Sequence, residues 1–274
     1  MIRSNLSLDF NNKALFLSYF ENNPVLKEPT AEEYNLIAGV IKHENLNNKV
    51  IEFYSKALEL RESNLGIKHK KTANSYNNLA DAYLADGLKE EALIYYLKAL
   101  KIREELFGLN HPQTASIYSS MATIYFEEGT LDKAHTLYKK ALKIRIEQLG
   151  EEHIHTASSY HELAFFYATS EEYSLALPLF EKAINIRKKL LRMSHPDTAK
   201  SYNSLAMCHY HLFNYNEAKE NLEISINIKT LFLETTDESL LSMKRSLKEI
   251  NKMINKSNNR GLFSRFLNLF KFKK

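Results

Sequence analysis

The chain has 274 residues, 44% apolar and 26% charged, a balance that excludes a disordered chain and supplies ample surface for a buried core. Only 7 Gly and 5 Pro occur and Trp is absent, which argues against a turn-rich all-β fold and for long helices on short connections. The net charge of +4 is uneven: residues 250–274 carry +7 without an acid, leaving residues 1–249 at −3, so the body offers no basic field for nucleic acid.

The N-terminal stretch MIRSNLSLDFNNKALFLSYFENN holds one short apolar run, residues 14–20. Asp9 precedes that run and no small-residue cleavage site follows, which argues against a signal peptide. Residues 1–26 are therefore expected to act as an N-terminal capping segment, with a helix over 11–26.

From Lys27 onward the sequence aligns with itself at a shift of 42 residues, giving five units: 27–68, 69–110, 111–152, 153–194 and 195–236. A Thr-Ala pair recurs at Thr30, Thr72, Thr114, Thr156 and Thr198, then a Tyr at Tyr34, Tyr76, Tyr118, Tyr160 and Tyr202. Ala38, Ala80, Ala122, Ala164 and Ala206 follow, then Val50, Ala92, Ala134, Ala176 and Ala218, then Ala57, Ala99, Ala141, Ala183 and Ser225. Each unit reads as two helices. In 72–85, Tyr76, Leu79, Ala80 and Tyr83 form one apolar stripe. Asp86-Gly87 breaks it, and in 89–106 Ala92, Tyr95, Tyr96, Ala99, Ile102 and Arg103 lie on a second stripe.

With Tyr76 in the fourth place of a unit, Ala80, Ala92 and Ala99 fall at the eighth, twentieth and twenty-seventh places. That pattern resembles the tetratricopeptide repeat, and the long unit with "KALKIREELFGLNHPQTA" is similar to the repeats of kinesin light chains. The resemblance covers residues 27–236 and implies an all-α, right-handed superhelix, an α-solenoid of about five helix-turn-helix repeats. Kinesin light chains carry a heptad coiled coil before their repeats, whereas the 26 residues here show no heptads. The resemblance thus carries over the fold and the peptide-binding habit, not association with a motor. "DESLLSMKRSLKEINKMI" keeps Leu247 where Leu205 stood and has Lys248 in place of Ala206, so 237–254 is expected to be a polar-faced capping helix.

His69, His111, His153 and His195 recur once per unit, and packed layers lie roughly 8–10 Å apart. Zinc–histidine bonds are about 2.0–2.1 Å, so those four are expected to be structural, with Pro after His111 and His195 marking a helix entrance. The pairs His153/His155 and His209/His211 lack further ligands at a familiar spacing, and no metal or cofactor is expected. No Gly-rich phosphate loop, nucleophile elbow or zinc-hydrolase motif occurs, and the chain reads as a non-enzyme. Cys208, the single cysteine, is a core residue by its setting and fits a reducing, cytoplasmic location.

The resemblance implies a concave groove lined by the first helix of each unit. Its fifth place holds Asn35, Asn77, Ser119, His161 and Asn203, an amide-rich ladder suited to a peptide backbone. Asn77–Ala80 reproduces the family's "NNLA"; Ser119, His161 and Glu162 depart from it. Other groove candidates are Asn74 and Lys200, Asp81 and Phe165, and Phe126 and Tyr210, the aromatics serving as apolar anchors. A second ladder, Lys56, Lys98, Lys140 and Lys182 with Arg61, Arg103, Arg145 and Arg187, reads as a solvated face.

Residues 255–261, "NKSNNRG", read as a hinge before the tail at 262–274. Drawn as a helix, the tail sets Leu262, Phe263, Phe266 and Phe270 opposite Arg265 and Lys271, with Lys273 and Lys274 at its end. Such a segment suits an anionic membrane surface, a cap over the last repeat or a partner motif. The sequence therefore points to a protein or peptide partner in the groove of an adaptor, with the tail as a peripheral tether. A peptide-sensing regulator and an accessory subunit of an enzyme complex are the alternatives.

Overall fold

The computed structural model describes residues 29–42, 47–234 and 236–271, with side chains as far as residue 257. Over these residues the secondary structure is helical: α1 Ala31–Ile41, α2 Asn47–Leu65, α3 Lys70–Ala85, α4 Lys89–Phe107 and α5 Pro112–Glu127. Then follow α6 Leu131–Leu149, α7 Ile154–Thr169, α8 Tyr173–Leu190, α9 Pro196–His211, α10 Tyr215–Lys229 and α11 Glu238–Lys271. The expected N-terminal cap over 1–26 lies outside the described residues.

The chain divides into two compact units, Met1–Glu128 and Gly129–Lys274. In the first, each of α1 to α4 packs on its successor; in the second, each of α6 to α10 does so, and α7 also meets α9. The repeated alanines explain the close approach: Ala80, Ala92, Ala99, Ala164, Ala176, Ala183 and Ala206 are all fully buried. Rings and branched chains fill the space around them, Tyr96 on α4 and Phe180 on α8 each being completely enclosed.

Each first helix starts the same way. His69, His111, His153 and His195 have extended backbones, and each Nδ1 accepts the backbone N–H two residues on, at 3.1–3.2 Å. The recurring histidine is thus a helix cap, doing what Ser or Asp does elsewhere. At the head of α1 the role passes to Thr30, whose hydroxyl takes the N–H of Glu33 while the Glu33 carboxylate returns to Thr30 N. Gly87 and Gly129 end the first helix of their units in the left-handed region, at φ 83° and 76°. Two and three repeats on from Gly87, Glu171 and Phe213 hold that conformation at φ 62° without glycine's freedom.

The second helices are locked by arginine. Arg61, Arg103, Arg145 and Arg187 are buried, not solvated alongside the lysines as the sequence suggests. Each donates to a carbonyl in the first turn of the next helix: Lys71 O at 3.3 Å, Gln113 O at 2.7 Å, His155 O at 3.2 Å and Asp197 O at 2.9 Å. Arg61 and Arg145 also reach Ser75 and Ser159 Oγ at 2.8 and 2.6 Å, and Arg187 reaches Ser201. Three of the companion lysines lie over rings: Lys56 Nζ is 5.8 Å from the Tyr34 centroid, Lys98 5.0 Å from Tyr95 and Lys182 5.1 Å from Tyr160.

The beginning of α11 closes the second unit's core, with Leu240, Met243 and Ile250 against Ala206, Ala218, Leu222 and Ile226. Helical backbone then continues through 255–261, where the sequence suggests a hinge; Asn and Ser disfavour helix only weakly, and no proline interrupts.

Candidate peptide-binding face

The outward positions of the first helices are less uniform than their spacing implies. Asn35 is spent on its own neighbourhood: Nδ2 donates to Ala31 O at 2.8 Å, and Oδ1 accepts from Asn78 Nδ2 at 3.0 Å. Asn77 donates to Asp81 Oδ2 at 3.1 Å, while Tyr96 OH donates to Asp81 Oδ1 at 2.5 Å. Burial lifts the Asp81 carboxyl above the usual carboxylate range, against the lowering effect of those two donors. Asn74 is exposed, with its amide oxygen held by Arg103 at 3.0 Å. On the first unit's faces, then, Asn35, Asn77 and Asp81 serve the fold before any ligand arrives, and Asn74 is tied by its oxygen.

Ser119 and His161, expected to face outward, are buried, at 6% and 5% exposure. The His161 ring meets Phe180 edge-on at 5.2 Å, and its Nδ1 lies 3.1 Å from the Ser201 hydroxyl, which itself accepts from Arg187. Enclosure, together with the charges of Arg187 and Lys200, pushes its pKa down to about 3, so the imidazole is neutral. The ring has turned from the outer face into the seam between α7 and α9, where its size fills space that asparagine would leave open.

The outward surface of the second unit is different. Phe165 on α7 is 48% exposed. On α9, Lys200 is exposed and forms no ion pair with a described residue, and half-buried Asn203 makes no side-chain hydrogen bond to one. Met207 is 36% exposed on the same helix. Tyr210 is half-buried, edge-on to Tyr215 at 5.7 Å and to His211 at 5.6 Å. Phe126 on α5 is half-buried and belongs to the first unit, whereas Phe165 belongs to the second.

Among the described residues no group of three His, Cys, Asp or Glu side chains is arranged to hold a metal. His153 and His155 have ring centroids 5.2 Å apart, but His153 Nδ1 is occupied by the His155 backbone N–H. Cys208 is buried and its thiol is pushed up to about 11 by that burial. Among the described residues no helix is long and apolar enough to cross a membrane. Of the tail positions, Leu262, Phe263, Arg265, Phe266, Phe270 and Lys271 lie on the α11 backbone, with side chains outside the description. Lys273 and Lys274 lie outside the described residues altogether.

A tetratricopeptide repeat family model matches residues 31–105, 90–147, 113–189 and 155–230. Those spans cover most of the chain, and it belongs to the tetratricopeptide repeat family. Among solved structures it is similar to a singly substituted form of the nearly identical TPR-like repeats of a Podosopora anserina protein described as a kinesin light chain. The identity is 25% over 72% of this chain and 93% of that one, with a TM-score of 0.59. BtubC (BKLC) from P. vanneervenii has the same fold, with 20% identity, coverage of 84% and 91%, and a TM-score of 0.64. Curated protein sequences give no match.

Proposed function

We propose that this chain is a non-catalytic adaptor that binds a peptide or protein segment on the first-helix faces of its second unit. Tetratricopeptide repeats are in general protein-interaction modules, which sets the class of partner. The observation that carries the reading is the outward surface of neighbouring helices α7 and α9: exposed Phe165 and Met207 beside Asn203, which makes no hydrogen bond to the described residues. A side-chain amide with donor and acceptor both open can pair with an extended peptide backbone, and an exposed ring supplies an anchor. Lys200 on the same helix adds a single positive charge for orientation.

Affinity capture from the native cell with the wild-type chain and with the double variant Phe165→Ala/Asn203→Ala tests this. Partners that depend on the face drop out of the variant's set; identical sets from both proteins overturn the proposal. The first unit's Asn35, Asn77 and Asp81 are given a structural role, so Asn35→Ala retains the partners while lowering stability.

The tail extends the proposal: residues 262–274 dock the adaptor on an anionic membrane surface, supported by the opposed Phe/Leu and Lys/Arg sides in sequence and the helical backbone to Lys271. Co-sedimentation with vesicles containing phosphatidylserine falls when residues 261–274 are removed. Unchanged co-sedimentation rejects the tether and leaves the groove reading standing.

A further inference from the structure

The fourth-place tyrosines fall into two kinds. In two repeats the fourth-place tyrosine hydroxyl donates to a glutamate fourteen residues earlier, Tyr76 to Glu62 and Tyr118 to Glu104, the latter at 2.7 Å. For Tyr160 that place is Ile146 and for Tyr202 it is Lys188, and neither hydroxyl has a hydrogen-bond partner among the described residues. Tyr160 is only 3% exposed, yet it lines an open cleft of about 630 Å³ with Lys182, Asn185, Lys188, Lys189 and the loop residues Glu151 and Glu152.

The lining has surplus donors. Lys182 rests over the Tyr160 ring and Lys188 forms no ion pair with a described residue. Glu152 is bound by Lys189, so Glu151 alone stands against Lys182 and Lys188. The groove positions of α7, at 158, 161 and 165, take no part in this lining, so the cleft is a surface separate from the peptide-binding face.

We propose that this cleft receives a carboxylate side chain from a partner protein, supplying in trans the acid that Tyr76 and Tyr118 find within the chain. The carboxylate accepts from the Tyr160 hydroxyl and pairs with Lys182 and Lys188. The cleft's volume suits the acidic residue together with the chain on either side of it, and Asn185 is placed for a polar contact to that backbone.

The test uses the full chain and a fluorescein-labelled tetraglutamate peptide at low salt, followed by anisotropy, with tetraglutamine as control. Saturable binding of tetraglutamate is expected, weakened about tenfold by Tyr160→Phe, which changes neither charge nor ring packing. Ile146→Glu puts the carboxylate back in cis; it is expected to abolish binding and to raise the melting temperature. Asn203→Ala leaves tetraglutamate binding unchanged, which separates this site from the groove. Equal affinity for the wild-type, Tyr160→Phe and Ile146→Glu chains overturns the proposal. So does a phosphoserine peptide that binds the wild type where tetraglutamate does not.

Discussion

His161 shows how one residue converts a repeat position from outward-facing to structural, and its proton makes that role measurable. In the folded chain the ring is neutral: Nδ1 faces the Ser201 hydroxyl, and Arg187 and Lys200 both oppose a positive charge. Its folded pKa lies far below the value near 6.5 of an unfolded histidine, so below that point the unfolded chain binds the extra proton. Its contribution to stability is thus complete above about pH 6.5 and is lost as the pH falls toward 3, with a slope approaching 1.4 kcal/mol per pH unit. Urea denaturation of the wild type and His161→Gln at pH 7 and pH 5 isolates that slope. The variant's stability falls less over the interval; parallel losses would remove His161 as its source. A second residue-scale effect concerns Glu171 and Phe213, each held at φ 62° where two other repeats use glycine. Glu171→Gly relieves the left-handed strain and is expected to raise stability by about 0.5–1 kcal/mol in thermal denaturation, with Phe213→Gly behaving alike.

Helices in this chain are joined by polar pins as well as by packing. Arg145 on α6 binds His155 O and Ser159 Oγ on α7 and lies 3.6 Å from Glu162. Its enclosure lowers the guanidinium pKa, with Glu162 opposing, but the group stays charged because an arginine begins so high. Arg145→Ala deprives the buried Ser159 hydroxyl and the His155 carbonyl of their donor and is expected to cost about 3 kcal/mol in chemical denaturation. Arg145→Lys keeps the charge but not the fork of donors, and it recovers less than half of that loss. A lysine variant as stable as the wild type would mean that charge, not geometry, holds the two helices. These pins also mark the limit of legibility. Repeat length, helix pairs and the packed faces are visible in the sequence because Ala and Tyr at fixed spacing state a volume and a period directly. Arg61 and its equivalents recur just as strictly, but a helical arginine is usually solvated, so recurrence alone gives no direction for the side chain. The same holds for Ser119 and His161, whose places are outward by spacing while their side chains turn in. Ion pairs show the converse: Lys68 meets Glu105 at 2.8 Å, and two repeats on Glu152 pairs with Lys189, the same bridge with its charges exchanged. That exchange is readable only once the repeat register is known.

At the scale of the whole molecule, each compact unit is a run of helices packed on their sequence neighbours, and such a run has stability close to a sum of local terms and nearest-neighbour interfaces. The last repeat then depends on whatever covers its far side, and α11 does so with Leu240, Met243 and Ile250. Removing residues 237–274 exposes Ala206, Leu222 and Ile226 to water, and those losses fall on α9 and α10 first. Amide hydrogen exchange reads this helix by helix: protection is expected to drop in α9 and α10 while α3 and α4, in the other compact unit, keep theirs. A shorter truncation after Ser257 keeps Ile250 and the partly buried Ile254 and removes the whole basic tail. If the tail serves membranes or partners, this form retains wild-type protection in α9 and α10 and loses only vesicle binding. Loss of protection in α9 and α10 on the shorter cut would instead assign residues 258–274 to the cap and withdraw the tether. The two truncations together place the boundary between the part of α11 that the fold requires and the part free for recognition.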